Sequence, residues 1–211
     1  MKYQNLKGVF GMKKIKKVFS LLLVAIMAIT STSTAFAISD SSENEPLSEH
    51  DQLQADIAVI ESVGLDNLQE FYNQNKDWIE DVNNRLEAYL ANIPVDQRDA
   101  VLKELRDGEF SARAASDYFT SYTYHYRSGW WTYSMTPKLS TRLLRPYAQA
   151  GWDELAAIYS GIRNDNGSLS NQYWCHFDLF VEADWDIEVG RPLVSYADTL
   201  LALCNPGGGG D

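Results

Sequence analysis

The strongest pattern in the sequence is a row of mostly apolar residues whose spacing alternates between four and three. Its members are Leu68, Tyr72, Asn75, Ile79, Val82, Leu86, Tyr89 and Ile93. Because an α-helix turns once in about 3.6 residues, this spacing places the whole row on one narrow face of a helix. Pro94 follows directly and ends the predicted helix, since proline cannot continue one.

A shorter helical pattern lies on each side of this row. The first contains Leu53, Ile57 and Ile60, and the second contains Val101, Leu102 and Leu105. Asp66 and Asp96 are placed to cap the helices that follow them, and Gly64 and Gly108 to end helices. Residues 51–110 are therefore predicted to form two to three helices.

The long row has two interpretations. It is either the buried face of a helical unit that packs on itself, or a coiled-coil interface for a partner or a second copy, with Asn75 as the polar residue that sets the register. We favour self-packing because so short a row is marginal alone and neighbouring helices are available.

The pattern changes near residue 116, where the period becomes two. Tyr122, Tyr124 and Tyr126 alternate with polar residues, which predicts a strand with one aromatic face. Ser128-Gly129 can turn the chain into a second strand over residues 130–135, giving an antiparallel hairpin.

The remaining patterns complete a small α+β domain over residues 116–206. They predict strands over residues 140–144 and 172–181 and helices over residues 147–159 and 195–203. Residues 207–211 are a glycine-rich tail. The predicted fold class is α+β, with an N-terminal helical segment, an antiparallel sheet and one disulfide.

The N-terminal segment has the three parts of an export signal. Four lysines between residues 13 and 17 precede an apolar run over residues 18–29, and Ala35-Phe36-Ala37 follows. The pattern predicts a signal peptide over residues 1–37 that is cleaved after Ala37. An uncleaved anchor is the alternative, but the run is shorter than the roughly 20 residues that span a bilayer. Residues 38–50 are acidic and polar, which predicts a disordered linker.

Charge limits the partners of the mature chain. Residues 1–37 contain six lysines and no acid, so their removal leaves 12 basic and 29 acidic residues and a net charge of −17. Clustered lysine and arginine are what a nucleic-acid surface needs, so we expect no nucleic-acid partner. We also expect no membrane span after cleavage, and a secreted, soluble protein.

The two cysteines, Cys175 and Cys204, are predicted to form a disulfide. An exported protein enters an oxidising environment in which a single pair of cysteines bridges by default. The alternative, a reactive thiol, leaves a second cysteine unpaired, and no Cys-x-x-Cys motif is present.

Candidate catalytic groups are few. On the predicted strand over residues 172–181, His176 and Asp178 share a face and could form a pair in which the imidazole acts as a general base. Ser134 and Ser140 are the candidate nucleophiles, although neither lies in a Gly-x-Ser-x-Gly motif. The simpler interpretation is a structural histidine and aspartate. No metal-ligand spacing is present, and we expect no metal or cofactor.

Two candidate binding features lie in the same domain. Lys138, Arg142 and Arg145 cluster within eight positions of an acidic chain and could bind a carboxylate or phosphate, with Arg142 as the better bidentate donor. Local ion pairing is the alternative. Exposed aromatic residues could form a sugar-stacking platform, or could simply be core. The candidates for this platform are Trp130, Trp131, Tyr133 and Trp174.

Several short motifs of the α+β domain occur together in one known family. These are Ser134-Met135-Thr136-Pro137 with Arg142, Asn171 to Phe177, Trp185-Asp186-Ile187-Glu188, Arg191-Pro192 and Cys204-Asn205-Pro206. Over residues 118–206 the chain resembles exported, mostly Gram-positive bacterial proteins that share the domain of unknown function DUF2599. Val189 follows Glu188 where the family pattern has proline. The resemblance implies export and a single domain, and it implies no reaction or catalytic residue.

Three functions remain open from the sequence. We favour a non-enzymatic extracellular protein that binds an unidentified extracellular or cell-wall partner, with the helical segment as a spacer or a surface for self-association. A secreted hydrolase or cell-envelope enzyme that uses His176, Asp178 and Arg142 is the second hypothesis. A secreted toxin or bacteriocin-like factor is the third.

Overall fold

The computed structural model of the protein describes residues 46–108, 114–179 and 183–207, all within one compact unit. Its helices are α1 (Glu49–Glu61), α2 (Leu68–Ala91), α3 (Arg98–Asp107), α4 (Leu139–Leu143), α5 (Arg145–Ile158), α6 (Ser160–Arg163), α7 (Ser168–Leu179) and α8 (Tyr196–Leu201). Its strands are β1 (Phe119–Arg127), β2 (Trp130–Pro137) and β3 (Trp185–Val189). The predicted α+β fold class is confirmed.

The predicted signal segment and residues 38–45 of the predicted linker lie outside the described residues, as do residues 208–211 of the tail. Glu49 and His50, also assigned to the linker, already belong to α1. No helix in the described ranges has the length and apolar character needed to cross a membrane.

Seven of the eight residues of the long row lie in α2, and four of the eight are buried within the chain. Leu68, Ile79, Val82 and Leu86 are buried in one core with residues of α1, α3 and the α+β part. Asn75 departs from helical geometry at φ −126° and ψ 21°, and its Nδ2 donates to the Phe71 carbonyl over 2.7 Å. Asn75 therefore marks a kink in α2, where an amide side chain occupies a backbone acceptor.

The two predicted aspartate caps are wrong. Asp66 and Asp96 each lie inside a single turn of 3-10 helix, at Leu65–Asn67 and Val95–Gln97. The N-cap positions of α2 and α3 are Asn67 and Gln97, neither of which makes a side-chain capping bond. The extra 3-10 turn moves the start of each α-helix beyond the aspartate.

The strands form one antiparallel sheet in the order β1-β2-β3. Ser128 and Gly129, with φ of 50° and 88°, make the tight turn of the predicted hairpin. Tyr124 pairs with Tyr133 and Tyr126 with Trp131 across the hairpin. β3, which the sequence did not predict, pairs with the other side of β2.

Two predicted strands are helices instead. Residues 140–144 fall largely in α4, and the described part of residues 172–181 belongs mostly to α7. The two carboxylate oxygens of Asp165 accept from the N–H groups of Leu169 at 3.0 Å and Ser170 at 2.9 Å, which satisfies the free donors of the first turn of α7. The residues buried on α7 then follow the helical period: Ser168, Leu169, Gln172, Tyr173, Cys175 and His176.

The other helix predictions and the disulfide are confirmed. α5 occupies the predicted helix over residues 147–159, and Ser195 caps α8 by accepting from the Asp198 N–H at 3.1 Å. Cys175 in α7 is bonded to Cys204, with Cα atoms 5.4 Å apart. The predicted division between a helical region and an α+β domain stays a prediction, and the two parts share one core.

Candidate functional site

His176 lies at the outer edge of the sheet. It projects from α7 toward β3, is 5% exposed, and donates from Nε2 to the Asp186 carbonyl at 3.0 Å. Its ring stacks on Trp185 at an interplanar angle of 14°. His176 therefore hydrogen-bonds to a carbonyl on the side of β3 that faces away from β2.

Gln172, one helical turn earlier, does the same for the next outward position of β3. Its Oε1 accepts from the Glu188 N–H at 2.8 Å and its Nε2 donates to the Glu188 carbonyl at 3.1 Å. The side-chain amide thus makes the two bonds that a neighbouring strand would make. Because Gln172 and His176 are four residues apart, α7 presents both to the same strand edge.

Asp178 lies away from His176. It accepts from Arg145 Nη2 at 3.2 Å and from the Tyr196 hydroxyl. Burial and this hydrogen bond raise the pKa of Tyr196. Residues two apart in a helix point about 200° apart, so the shared face that the sequence predicted for His176 and Asp178 is lost once residues 172–179 are helical.

Arg142 is 1% exposed and is held by backbone carbonyls. Its Nε donates to the Pro137 carbonyl at 3.0 Å, its Nη2 donates to the Ala183 carbonyl, and its guanidinium lies 5.8 Å from the Trp185 ring centroid. Burial lowers the pKa of Arg142 to about 10. These contacts tie the end of β2 to the start of β3.

The three candidate anion-binding residues make different contacts. Lys138 lies near Arg106 and several acids, and burial, with Arg106, lowers its pKa. Arg145 packs over the rings of Trp174 and Phe177 at 4.8 and 4.9 Å and pairs with Asp178. Arg142 and Arg145 both line one pocket, together with Asn83 and Asp178, whereas Lys138 lines a different one.

The candidate nucleophiles have other contacts than His176 among the described residues. The Ser134 hydroxyl donates to Asp186 Oδ1, whose other oxygen accepts from Arg127 Nη1 at 2.8 Å. The Ser140 Oγ is buried without a hydrogen-bond partner among the described residues. His176 reaches the backbone of Asp186, whereas Ser134 reaches its side chain, so the structure shows no serine–histidine hydrogen bond in the described ranges.

An aromatic ladder follows one face of the hairpin from the core to the turn. The ring centroids of Tyr159 and Tyr133 are 4.9 Å apart, those of Tyr133 and Tyr124 4.4 Å, those of Tyr124 and Trp131 5.1 Å, and those of Trp131 and Tyr126 5.6 Å. Gly161 makes room for the inner end, because a Cβ there would collide with the Tyr133 hydroxyl. Burial raises the pKa of Tyr133.

The outer end of this ladder is exposed. Tyr124, Tyr126 and Trp131 are 42%, 62% and 49% exposed, and Val189 lies beside Trp131 in the sheet. We call these four residues the hairpin surface. Of the residues considered for a sugar platform, Trp131 alone is part of this surface. Trp130 packs under Arg191 at 4.3 Å on the opposite face, Trp174 packs against Arg145, and Tyr133 is buried in the inner part of the ladder.

The sequence predicted the aromatic face of the hairpin but not the hydrogen bonds from Gln172 and His176 to the edge of β3. The alternation of tyrosines marked that face directly, whereas the roles of Gln172 and His176 depend on β3 lying beside α7. No group of three or more His, Cys, Asp or Glu residues in the described ranges is arranged to hold a metal ion.

No curated protein and no solved structure matches the chain significantly. The family model described as "Protein of unknown function (DUF2599)" matches residues 120–207, from β1 to the end of the described C-terminal segment. That range contains the sheet, the edge contacts of α7, the disulfide and the hairpin surface. Residues 120–207 are therefore a match to a domain of unknown function, DUF2599.

Proposed function

We propose that the chain is an exported, non-catalytic binding protein of a Gram-positive bacterium that contacts an extracellular protein through the hairpin surface. The observation that supports this proposal best is the exposure of Tyr124, Tyr126 and Trp131 side by side on one face of a two-stranded hairpin. Tyrosine and tryptophan are the residues that contribute most often to binding energy at protein interfaces. The signal-like N terminus and the disulfide support export.

The hairpin surface is preorganised for contact. Each exposed ring is in contact with another ring of the ladder, and the inner end of the ladder is anchored on the buried Tyr133. The tight turn at Ser128 and Gly129 fixes the register of the two strands. Little side-chain freedom is then left to lose on binding, which favours affinity.

The stacking geometry favours a protein partner over a sugar. Tyr133 and Trp131 both stack on Tyr124 with interplanar angles of 24°, so less of the Tyr124 ring face is open to a ligand. A sugar stacks on the open face of an aromatic ring, whereas ring edges and hydroxyl groups pack against a protein surface.

The contacts of the hydrolase candidates support structural roles. His176 bonds to the Asp186 carbonyl, Asp178 accepts from Arg145 and Tyr196, and Arg142 donates to backbone carbonyls. Each group is thereby occupied in joining elements of the fold.

A binding assay with matched variants tests the proposal. Immobilised mature protein, residues 38–211, is incubated with surface proteins released from the producing cells and, separately, with purified wall glycan. We expect a specific protein partner to bind wild type and to bind the double variant Tyr126→Ser/Trp131→Ser at least about tenfold more weakly, because truncating a central aromatic residue costs about 2 kcal/mol.

Leu201→Ser is the control, because Leu201 is 83% exposed on α8 and its loss removes apolar surface elsewhere. It should bind like wild type. Equal binding by the double variant, or binding to the glycan alone, would show that the hairpin surface does not recognise a protein.

A further inference from the structure

The two outer edges of the sheet differ. At β3, the outward backbone groups at Asp186 and Glu188 are bonded to His176 and Gln172 of α7. At β1, the other outer strand, no described residue plays this part. An uncovered strand edge is a template for pairing with another strand.

The geometry of the turn identifies which backbone groups face outward on β1. In a hairpin closed by a two-residue turn with positive φ at both positions, the flanking residues, here Arg127 and Trp130, bond to each other. On β1, the residues whose backbone groups face β2 are therefore Arg127, His125 and Thr123. The N–H and C=O groups of Tyr122, Tyr124 and Tyr126 point outward, and we call them the open edge.

The hydrogen-bonding pattern between β2 and β3 gives the same assignment of inward and outward backbone groups. Glu188 and Asp186 turn their backbone groups toward α7, so Val189 and Ile187 face β2 and bond to Trp131 and Tyr133. The alternate β2 residues then face β1, as the turn requires. Among the described residues, no hydrogen bond outside the hairpin ladder satisfies the open edge.

The open edge also has few of the features that keep strands apart. β1 is nine residues long and contains no proline, lysine, aspartate or glutamate. Its one charged side chain, Arg127, lies at the turn and pairs with Asp186, and its irregularity is a bulge near its start, between Phe119 and Ser121. Residues 118–152 contain no acid at all, in a chain whose mature form has a net charge of −17. Two copies of this acidic protein meet with least repulsion along this segment.

We propose that β1 pairs antiparallel with β1 of a second copy, with Tyr124 opposite Tyr124 of that copy and Tyr122 opposite Tyr126. This register is the one that uses all three outward positions of both strands, and each pair exchanges two backbone hydrogen bonds. The tyrosines of both copies lie on one face, where aromatic cross-strand pairs stabilise a sheet. The symmetric dimer has a continuous six-stranded sheet and presents two hairpin surfaces side by side.

Sedimentation velocity of the mature protein over a wide range of concentration tests the assembly. We expect wild type to form a dimer, Tyr124→Lys to be a monomer because it places two ammonium groups opposite each other, and Leu201→Lys, with the same change of charge, to remain a dimer. A wild type that stays monomeric, as it would if an extended segment of its own chain or of another protein occupied the edge, overturns the proposal. So does a dimer that Tyr124→Lys leaves intact.

Cysteine cross-linking tests the register. Opposed residues of a hydrogen-bonded antiparallel pair have Cβ atoms up to about 5.5 Å apart, which is wider than a disulfide prefers but is spanned by a short thiol-specific cross-linker. Tyr124→Cys should therefore form a covalent dimer with such a cross-linker. Thr123→Cys, which the proposed register places opposite His125, should not, and equal or faster linking at Thr123→Cys contradicts the register. Neither measurement depends on the partner of the hairpin surface, so the two proposals fail separately.

Discussion

Replacing Gln172 with leucine tests how much stability the protein gains from the hydrogen bonds at the outer edge of β3. Gln172 is fully buried, and its amide makes both bonds to the backbone of Glu188 as well as one to the Ser168 carbonyl at 3.3 Å. Leucine has nearly the same volume and no hydrogen-bonding group. The substitution therefore removes the edge contact without leaving a large cavity.

The magnitude follows from the groups left behind. A buried N–H or C=O without a partner costs about 1 to 3 kcal/mol, and Gln172→Leu leaves one of each on Glu188. Glu188 is only partly buried, so water reaches some of this backbone. We expect a loss of about 2 to 3 kcal/mol in the free energy of unfolding, or about 4 to 12 °C in the thermal midpoint of a domain of this size.

Amide hydrogen exchange followed by NMR locates the effect. The Glu188 N–H should exchange much faster in Gln172→Leu than in wild type, whereas the N–H of Ile187, which faces β2, should remain protected. Gln149→Leu is the control, because Gln149 is exposed on α5 and its amide donates to the Asp153 side chain one helical turn later. Unchanged protection at Glu188, or a loss no larger than that of Gln149→Leu, would refute the edge-capping role.

Two further perturbations test the disulfide and an ion pair. The bridge joins residues 29 apart, for which the chain-entropy relation gives about 3.6 kcal/mol, so Cys175→Ala/Cys204→Ala should lower the thermal midpoint by about 7 to 14 °C. A reductant should lower the thermal midpoint of wild type by a similar amount and leave that of the variant unchanged. A variant with the same midpoint as oxidised wild type would contradict this prediction. The hydrogen bond from Arg106 lowers the pKa of Asp107 below 3.8, so its stabilisation is present above pH 3.8 and is lost as pH falls through the lower folded value. Asp107→Asn should therefore differ most from wild type near neutral pH and converge with it in acid, and a difference that is constant with pH would exclude this linkage.

Local chemistry explains why the hairpin, α5, α8 and the disulfide could be predicted. Alternating tyrosines, a Ser-Gly turn and a serine cap each act within a few residues, so the sequence near them determines the structure. Predicting the disulfide required only the number of cysteines and the expectation of an oxidising environment.

α7 and the edge contacts could not be predicted in the same way. Tyr173, Cys175, Phe177 and Leu179 recur at every second position as the apolar residues of a strand would, and this period outweighed the helical one. Two features favour the helix. The Asp165 side chain caps its first turn, and the Gln172 and His176 side chains hydrogen-bond to the backbone of β3, which is distant in sequence. The second of these is a tertiary contact that no local pattern contains.

The absence of acids from residues 118–152 needs an explanation beyond folding. Burial accounts for Tyr118, Met135 and Tyr147, because a carboxylate in their place would be desolvated. It does not account for Thr120, Thr123 or Tyr126, which are exposed positions where an acid costs the fold little. A surface that must approach another acidic molecule, or a second copy of itself, gains from having no carboxylates, because like charges brought together at an interface are repulsive. The exposed part of this segment contains both the open edge and most of the hairpin surface, so its composition fits a role in contact more closely than a role in stability.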